Sequence, residues 1–224
     1  YGMAGHEAMA IGVPLDEIEE GAHVHNYKKA LNKMMQMGEI TPIKTTEIDK
    51  ADAPSKAVIL KEEDINILDF PFFQTNPGDN GRFINTGNLV TVDPDQGRNV
   101  GTYRMQIKGP RKIGISPEKK QDGWKSLMKT KENGETVAQA VVVLGTDPIV
   151  FAMSSSKTAR TGQDELEIAG GFKGKSIEVV KCENSDILVP ANVEMIIEGE
   201  IPLDDFELEG PFGEMYGYMG KTHE

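Results

Sequence analysis

Two glutamates, Glu209 and Glu214, flank a Gly-Pro-Phe-Gly turn in the stretch EGPFGEMYGYMG (209–220). A compact turn can hold both carboxyls in one pocket. Two acids in one pocket titrate apart, which suits one of them to donate a proton. A solvated acidic turn is the plainer reading of the same spacing. A second stretch, NVGTYRMQIKG (99–109), places Tyr103 and Arg104 on opposite faces of a strand. An arginine inside an apolar strand needs a carboxylate or phosphate partner, whereas a surface arginine needs nothing. The acids of DELEIAGG (164–171) could bind a metal or could line an exposed helix face. His23 and His25 fall on different faces of a helix, which argues against a shared metal.

The elements that must position these residues follow from pattern and breakers. The first 40 residues read as helical: Pro14 suits a first turn, and DEIEE puts acids near a helix N-terminus. YKKALNKMMQM (27–37) carries Tyr27, Leu31, Met34 and Met35 on one core-facing stripe, and Gly38 stops it. Beyond it the chain turns β-rich. Ala57–Leu60 reads as a strand, and FINTGNLVTV (83–92) as strands joined by Gly/Asn turns. Further strands are expected at Thr102–Ile107 and Lys112–Ile115, with an exposed helix or loop over 117–134. VAQAVVVL (137–144) is too β-branched for an easy helix and reads as a buried strand. Helical pieces are expected over Asp147–Gly174, then two strands around the turn ENSD in SIEVVKCENSDILVP. In ANVEMIIEGEIP a last strand should turn Val193, Met195 and Ile197 to one side.

The bulk numbers exclude several classes. A chain of 224 residues suffices for one large domain or a domain with an appendage. Mean hydropathy of −0.40 and the lack of any 18-residue apolar run argue against a membrane span. A net charge of −12 argues against general nucleic-acid or anionic-membrane binding, though not against a local phosphate pocket. One cysteine, Cys182, excludes an internal disulfide and a multi-cysteine zinc site, so a reducing, cytoplasmic setting is expected. YGMAGHEAMAIGVP lacks the basic start of a signal peptide. The start at Tyr1 reads as a processed, shortened or incompletely recorded end.

Three ordered stretches carry a resemblance. INTGNLVTVDPDQGRNVGTYRMQ, DELEIAGGFKGKSIEVVKCENSDILVPANVEMIIEGEIP and EGPFGEMYGYMG together resemble the UbiD family of reversible decarboxylases. The likeness spans about residues 54–220, roughly three-quarters of the chain. It implies an α+β fold: a β-rich split-barrel flavin-binding domain with peripheral helices over 51–224, preceded by a short helical segment over 1–50. It also implies prenylated FMN as cofactor, supplied by a partner prenyltransferase. On that cofactor an aromatic or α,β-unsaturated acid forms an adduct and loses carbon dioxide.

The family's Glu-Arg-Glu set matches Glu209, Arg104 and Glu214. By that resemblance Arg104 pairs with Glu209 and orients the substrate carboxylate and flavin, and Glu214 delivers the proton that replaces carbon dioxide. Thr102, Tyr103, Gln106 and Lys120 fall in cofactor-contact positions. The family's phosphate-bridging divalent metal, manganese or magnesium, is held by an Asn, a His and a Glu. Asn99 and Glu165 match the first and third. The His position falls at or next to Lys120, where Asp122 could serve as a ligand or Lys120 could pair with the phosphate directly. Carbonyls around Ala152, Met153 and Ser154 are candidates for a potassium site.

Family members usually run to more than twice this length, and the C-terminal domain that covers the pocket and drives oligomerisation lies outside this chain. A shortened chain, a piece of a longer sequence, and a split enzyme completed by a second subunit all fit. The expected function is therefore a lyase core. The alternative is a flavin-binding accessory subunit that does not turn over alone.

Overall fold

The computed structural model describes residues 3–36, 40–156, 159, 162–214 and 216–222. The chain opens with helices α1 (Met3–Ala10) and α2 (His23–Gln36), then a short strand β1 (Thr46–Glu47). A long hairpin of β2 (Phe83–Asp93) and β3 (Gly97–Gly109) follows, then β4 (Lys112–Ile115) and α3 (Asp122–Glu132). Strand β5 (Val137–Leu144), helices α4 (Pro148–Ser155) and α5 (Glu165–Lys173), and strands β6 (Glu178–Lys181), β7 (Leu188–Pro190) and β8 (Met195–Pro202) complete the order.

Two sheets result. The larger is antiparallel throughout, in the order β4-β3-β2-β5-β8, and curls into a half-barrel with the two edge strands far apart in sequence. The smaller, β1-β6-β7, packs behind it. Strand alternation sorts the core. Val90, Val100, Val141 and Val143 face α4, α5 and the small sheet, packing with Ile149, Leu166 and Val179. Leu89, Tyr103, Met105, Ile107 and Val142 point to the opposite, concave side.

Local chemistry sets the boundaries near the site. Asp93 Oδ1 accepts from the Asp95 and Gln96 amides at 2.9 Å each, and Gly97 adopts φ 87°, so the β2–β3 hairpin turns there. Asp147 and Asp164 cap α4 and α5 by accepting from the Ile149 and Leu166 amides at 3.0 and 2.9 Å.

Several expectations are corrected. Ala57–Leu60 is no strand: it lies exposed between two short 3-10 turns with no strand beside it, so β propensity found nothing to pair with. FINTGNLVTV is one strand, not several; its Gly/Asn residues sit at a register irregularity between Ile84 and Gly87 instead of in turns. Of the DEIEE acids, Asp16 and Glu17 stand in a single 3-10 turn, Leu15–Glu17, instead of heading a longer helix. Tyr27 is 51% exposed and not core-facing. The side chains of Leu31, Met34 and Met35, and Gly38, lie outside the described residues. The strand expected at Thr102–Ile107 extends to Gly97–Gly109. Helix α3 is not simply an exposed helix, since Gly123, Ser126 and Leu127 are buried. Val193 and Ile197 pack on opposite sides of the sheet, Val193 preceding the strand, so they share no face.

Candidate functional site

Arg104 projects from the face of β3 opposite Tyr103. Its Nε donates to Glu209 Oε1 at 2.9 Å and its Nη2 to Glu209 Oε2 at 3.0 Å, a two-point pairing of planar groups. Its Nη1 lies 3.7 Å from Glu214 Oε1. The guanidinium also sits 5.0 Å from the centre of the Phe212 ring, within cation–π range. The Glu209 side chain is 6% exposed, Arg104 27% and Glu214 39%. One carboxylate is thus sunk and fixed while the other stands at the open side. The Glu209 hydrogen bonds favour the charged guanidinium and outweigh the opposing effect of its partial burial.

The loop that delivers both acids is built by backbone pairing. Gly213 bridges Met219, and the Gly220 amide donates to the Phe212 carbonyl at 2.8 Å, so residues 216–220 fold back onto 212–214. Gly210, at φ 86° before a cis Pro211, begins the turn in a conformation that favours glycine. Asp79 anchors the loop: its Oδ1 accepts from the Gly213 amide at 2.7 Å and its Oδ2 from the Asn76 amide at 2.7 Å. Burial pushes this carboxyl up, but those hydrogen bonds prevail and hold it below the usual aspartate value. A Cβ at Gly213 would come 2.2 Å from Asn76 Nδ2. Gly213→Ala should therefore displace the loop and destabilise the fold by about 1–3 kcal/mol, read as a lower melting temperature.

The other candidate residues divide into two groups. Asn99, Asp122 and Glu165 line one small cavity of about 30 Å³, together with Asp93, Lys125 and Ser126. Glu165 Oε2 accepts from the Val100 amide at 2.9 Å, and burial pushes its carboxyl up to about 7. Arg98 secures that corner by pairing with Asp164, the residue that caps α5. Lys120 is exposed and is not part of the lining; Lys125, paired to Asp122 at 2.7 Å, is. Thr102 joins a hydroxyl network with Asn88 and Ser154, at 2.9 Å to each. Ser154 is the last of the three residues whose carbonyls were expected near a monovalent ion, and Met153 O already accepts from the Ser156 amide. Tyr103 is buried, its ring crowding Gly101 and Gly123. Gln106 holds the loop that carries the two glutamates: its Oε1 accepts from the Gly210 amide at 3.2 Å, and its Nε2 donates to the Asn80 carbonyl.

A larger cavity of about 430 Å³ opens between the edge strands β4 and β8, in the split of the half-barrel. Ile113, Ile115, Trp124, Leu203 and Phe206 line it, and Glu209 borders it. Its volume falls in the range of small-molecule pockets. Phe212, Asp79, Asn80, Lys125 and Ser126 were not legible as site residues. Their roles depend on contacts between distant segments, and only the Gly-rich turn around Phe212 gave a local hint.

A curled antiparallel half-barrel that presents an Arg–Glu pair beside an open cavity makes this an α+β domain with a split-barrel sheet. The chain belongs to the UbiD family: the domain described as 3-octaprenyl-4-hydroxybenzoate carboxy-lyase Rift-related matches residues 46–224. It is 36% identical over 162 residues to the phenolic acid decarboxylase of Bacillus subtilis, covering 70% of this chain and 34% of the relative. Among solved structures it is similar to an evolved dimeric form of the UbiD-class enzyme HmfF from Pelotomaculum thermopropionicum in complex with prFMN. That likeness has a TM-score of 0.83 and 34% identity, covering 99% of this chain and 49% of the other. It is similar too to the closed form of the vanillic acid decarboxylase of Sedimentibacter hydroxybenzoicus, with a TM-score of 0.84 and 27% identity over 96% of this chain and 45% of that one. The chain thus spans a third to a half of the length of these relatives. Among the described residues no helix is long and apolar enough to cross a membrane.

Proposed function

We propose that this chain forms the flavin-binding and catalytic face of a non-oxidative, reversible decarboxylase that acts on an aromatic or α,β-unsaturated carboxylic acid through prenylated FMN. The observation that carries this reading is the convergence of Arg104, Glu209 and Glu214 across more than a hundred residues of sequence. The phenolic acid decarboxylase likeness and the prFMN complex of a structural relative support it.

Bound prenylated FMN supplies the electron sink for loss of carbon dioxide. The protein's own part is positional and acid–base. Glu209 holds the Arg104 guanidinium in one orientation, so its remaining N–H can meet a substrate carboxylate. Glu214, at the open side of the guanidinium, carries the proton to the carbon that loses carbon dioxide. In the carboxylation direction the same groups act in reverse.

The small cavity fits a divalent cation beside a phosphate. Its donors are hard oxygens from Asn99, Glu165 and Asp122, and Asn99 Nδ2 is buried with no protein partner. Among the described residues no three His, Cys, Asp or Glu side chains form a metal group by themselves, so a carboxamide and a phosphate oxygen would complete the coordination. Manganese or magnesium suits that set, and the carbonyls at the end of α4 would hold a potassium ion. Treatment with a chelator should release the flavin along with the metal, measured by the absorbance of the filtrate; flavin that stays bound would speak against the bridging role.

The relatives' extra length favours a second reading: a subunit that holds flavin while a partner subunit or a second domain completes the pocket. Carbon dioxide release from a panel of cinnamate-like and hydroxybenzoate-like acids tests both readings. The complete protein loaded with prenylated FMN should release it. Activity only after a partner is added would favour the subunit reading, and no release in either case would refute the decarboxylase.

A further inference from the structure

The hydroxyls of Thr91 and Ser126 have no role in what has been described. Both residues are 2% exposed, and neither Oγ has a hydrogen-bond partner. A buried hydroxyl left without a partner is costly, and such groups either cluster where a ligand or ordered water completes them or are rare. Here they are not scattered. Thr91 lies directly across the β2–β3 ladder from Asn99, so the two side chains share a face. Asn99 Nδ2 is itself buried and unpartnered. Ser126 lies one helical turn beyond Asp122 on α3, on the same face, and lines the small cavity with Asn99, Asp122 and Glu165. It also lines the neighbouring cavity with Thr91. Asn99 and Ser126 therefore both line a cavity with room for a cation or a water, and Thr91 stands behind them, opposite Asn99 on the ladder and beside Ser126 in the neighbouring cavity.

We infer that Ser126, backed by Thr91, is a further positioning residue of the cation cavity. Its hydroxyl hydrogen-bonds a water of the hydrated divalent cation held between Asn99 and Glu165. This inference rests on the cation reading given above. Outer hydrogen bonds of this kind fix the orientation of metal-bound groups, and their loss costs affinity although no ligand is removed. The arrangement has an unusual consequence in the absence of the metal. The unpartnered hydroxyl weakens the empty fold, so its removal should help the empty protein and harm the loaded one.

The test is a pair of measurements on Ser126→Ala in the FMN-loaded and the metal-free protein. Mn²⁺ binding, followed by the loss of the free-ion electron paramagnetic resonance signal, should weaken about tenfold. The melting temperature of the chelator-treated protein should stay level or rise by about 2–4 °C. Glu165→Gln serves as the control and should abolish Mn²⁺ uptake. Unchanged Mn²⁺ affinity in Ser126→Ala, or a lower melting temperature without metal, would overturn the hydroxyl's part while leaving the cation reading intact. Failure of the unaltered protein to take up Mn²⁺ would overturn the cation reading and this inference with it.

Discussion

Glu214→Gln should lose turnover by about 10²–10⁴-fold while the protein keeps its flavin and its fold. The substitution preserves shape but removes the acid proposed to carry the proton. Glu214 is the more exposed of the two carboxyls and lies at the outer side of Arg104, so little of the fold depends on its charge. Its backbone amide donates to the Tyr218 carbonyl and its carbonyl accepts from the Gly217 amide, and neither bond involves the side chain. Steady-state decarboxylation, the flavin absorbance spectrum and the melting temperature should therefore separate cleanly: the first collapses and the other two persist. Full activity in Glu214→Gln would remove this residue from the mechanism.

Arg104→Ala has a different signature, because it strikes both chemistry and stability. Glu209 is nearly inaccessible and both of its oxygens are taken by Arg104. Without the guanidinium it becomes a buried charge with no counterion, at a cost of about 3 kcal/mol once the partial exposure of Arg104 is allowed for. A chain of this size should then melt roughly 6–12 °C lower. Phe212 loses its cationic partner at the same time, which loosens the turn that carries Glu214. Adding Glu209→Gln to Arg104→Ala removes the stranded charge and should restore part of the lost stability, but none of the turnover. A single Arg104→Ala variant that melts and turns over like the unaltered protein would show that the pair seen here does not matter.

Why these residues could be named from sequence, and others could not, has a physical basis. Arg104 sits in an apolar strand and the two glutamates bracket a rigid Gly-Pro-Phe-Gly turn, so local pattern marks all three. Their meeting is a long-range contact that no period reveals; it became an expectation only through the family resemblance. Asn99, Glu165 and Asp122, likewise marked by the resemblance, share one cavity, whereas Lys120 stays outside it. The helix periodicity of α3 places Lys125 and Ser126 within reach of Asp122, but nothing local distinguishes them from other polar helix residues. Gln106 was expected to touch cofactor, yet both of its polar atoms hold the backbone around Asn80 and Gly210. Ala57–Leu60 shows the opposite failure. Its residues favour strand, but a strand needs a neighbour, and the chain runs there between tight turns over the surface. The irregularity between Ile84 and Gly87 reads locally as a turn because Gly and Asn serve both.

Mass spectrometry of the flavin released from the complete protein, produced together with a flavin prenyltransferase, tests the central claim most directly. Prenylated FMN is the result expected of a pocket in which Arg104, Glu209 and Glu214 serve decarboxylation. Recovery of plain FMN alone, or of no flavin, would contradict it.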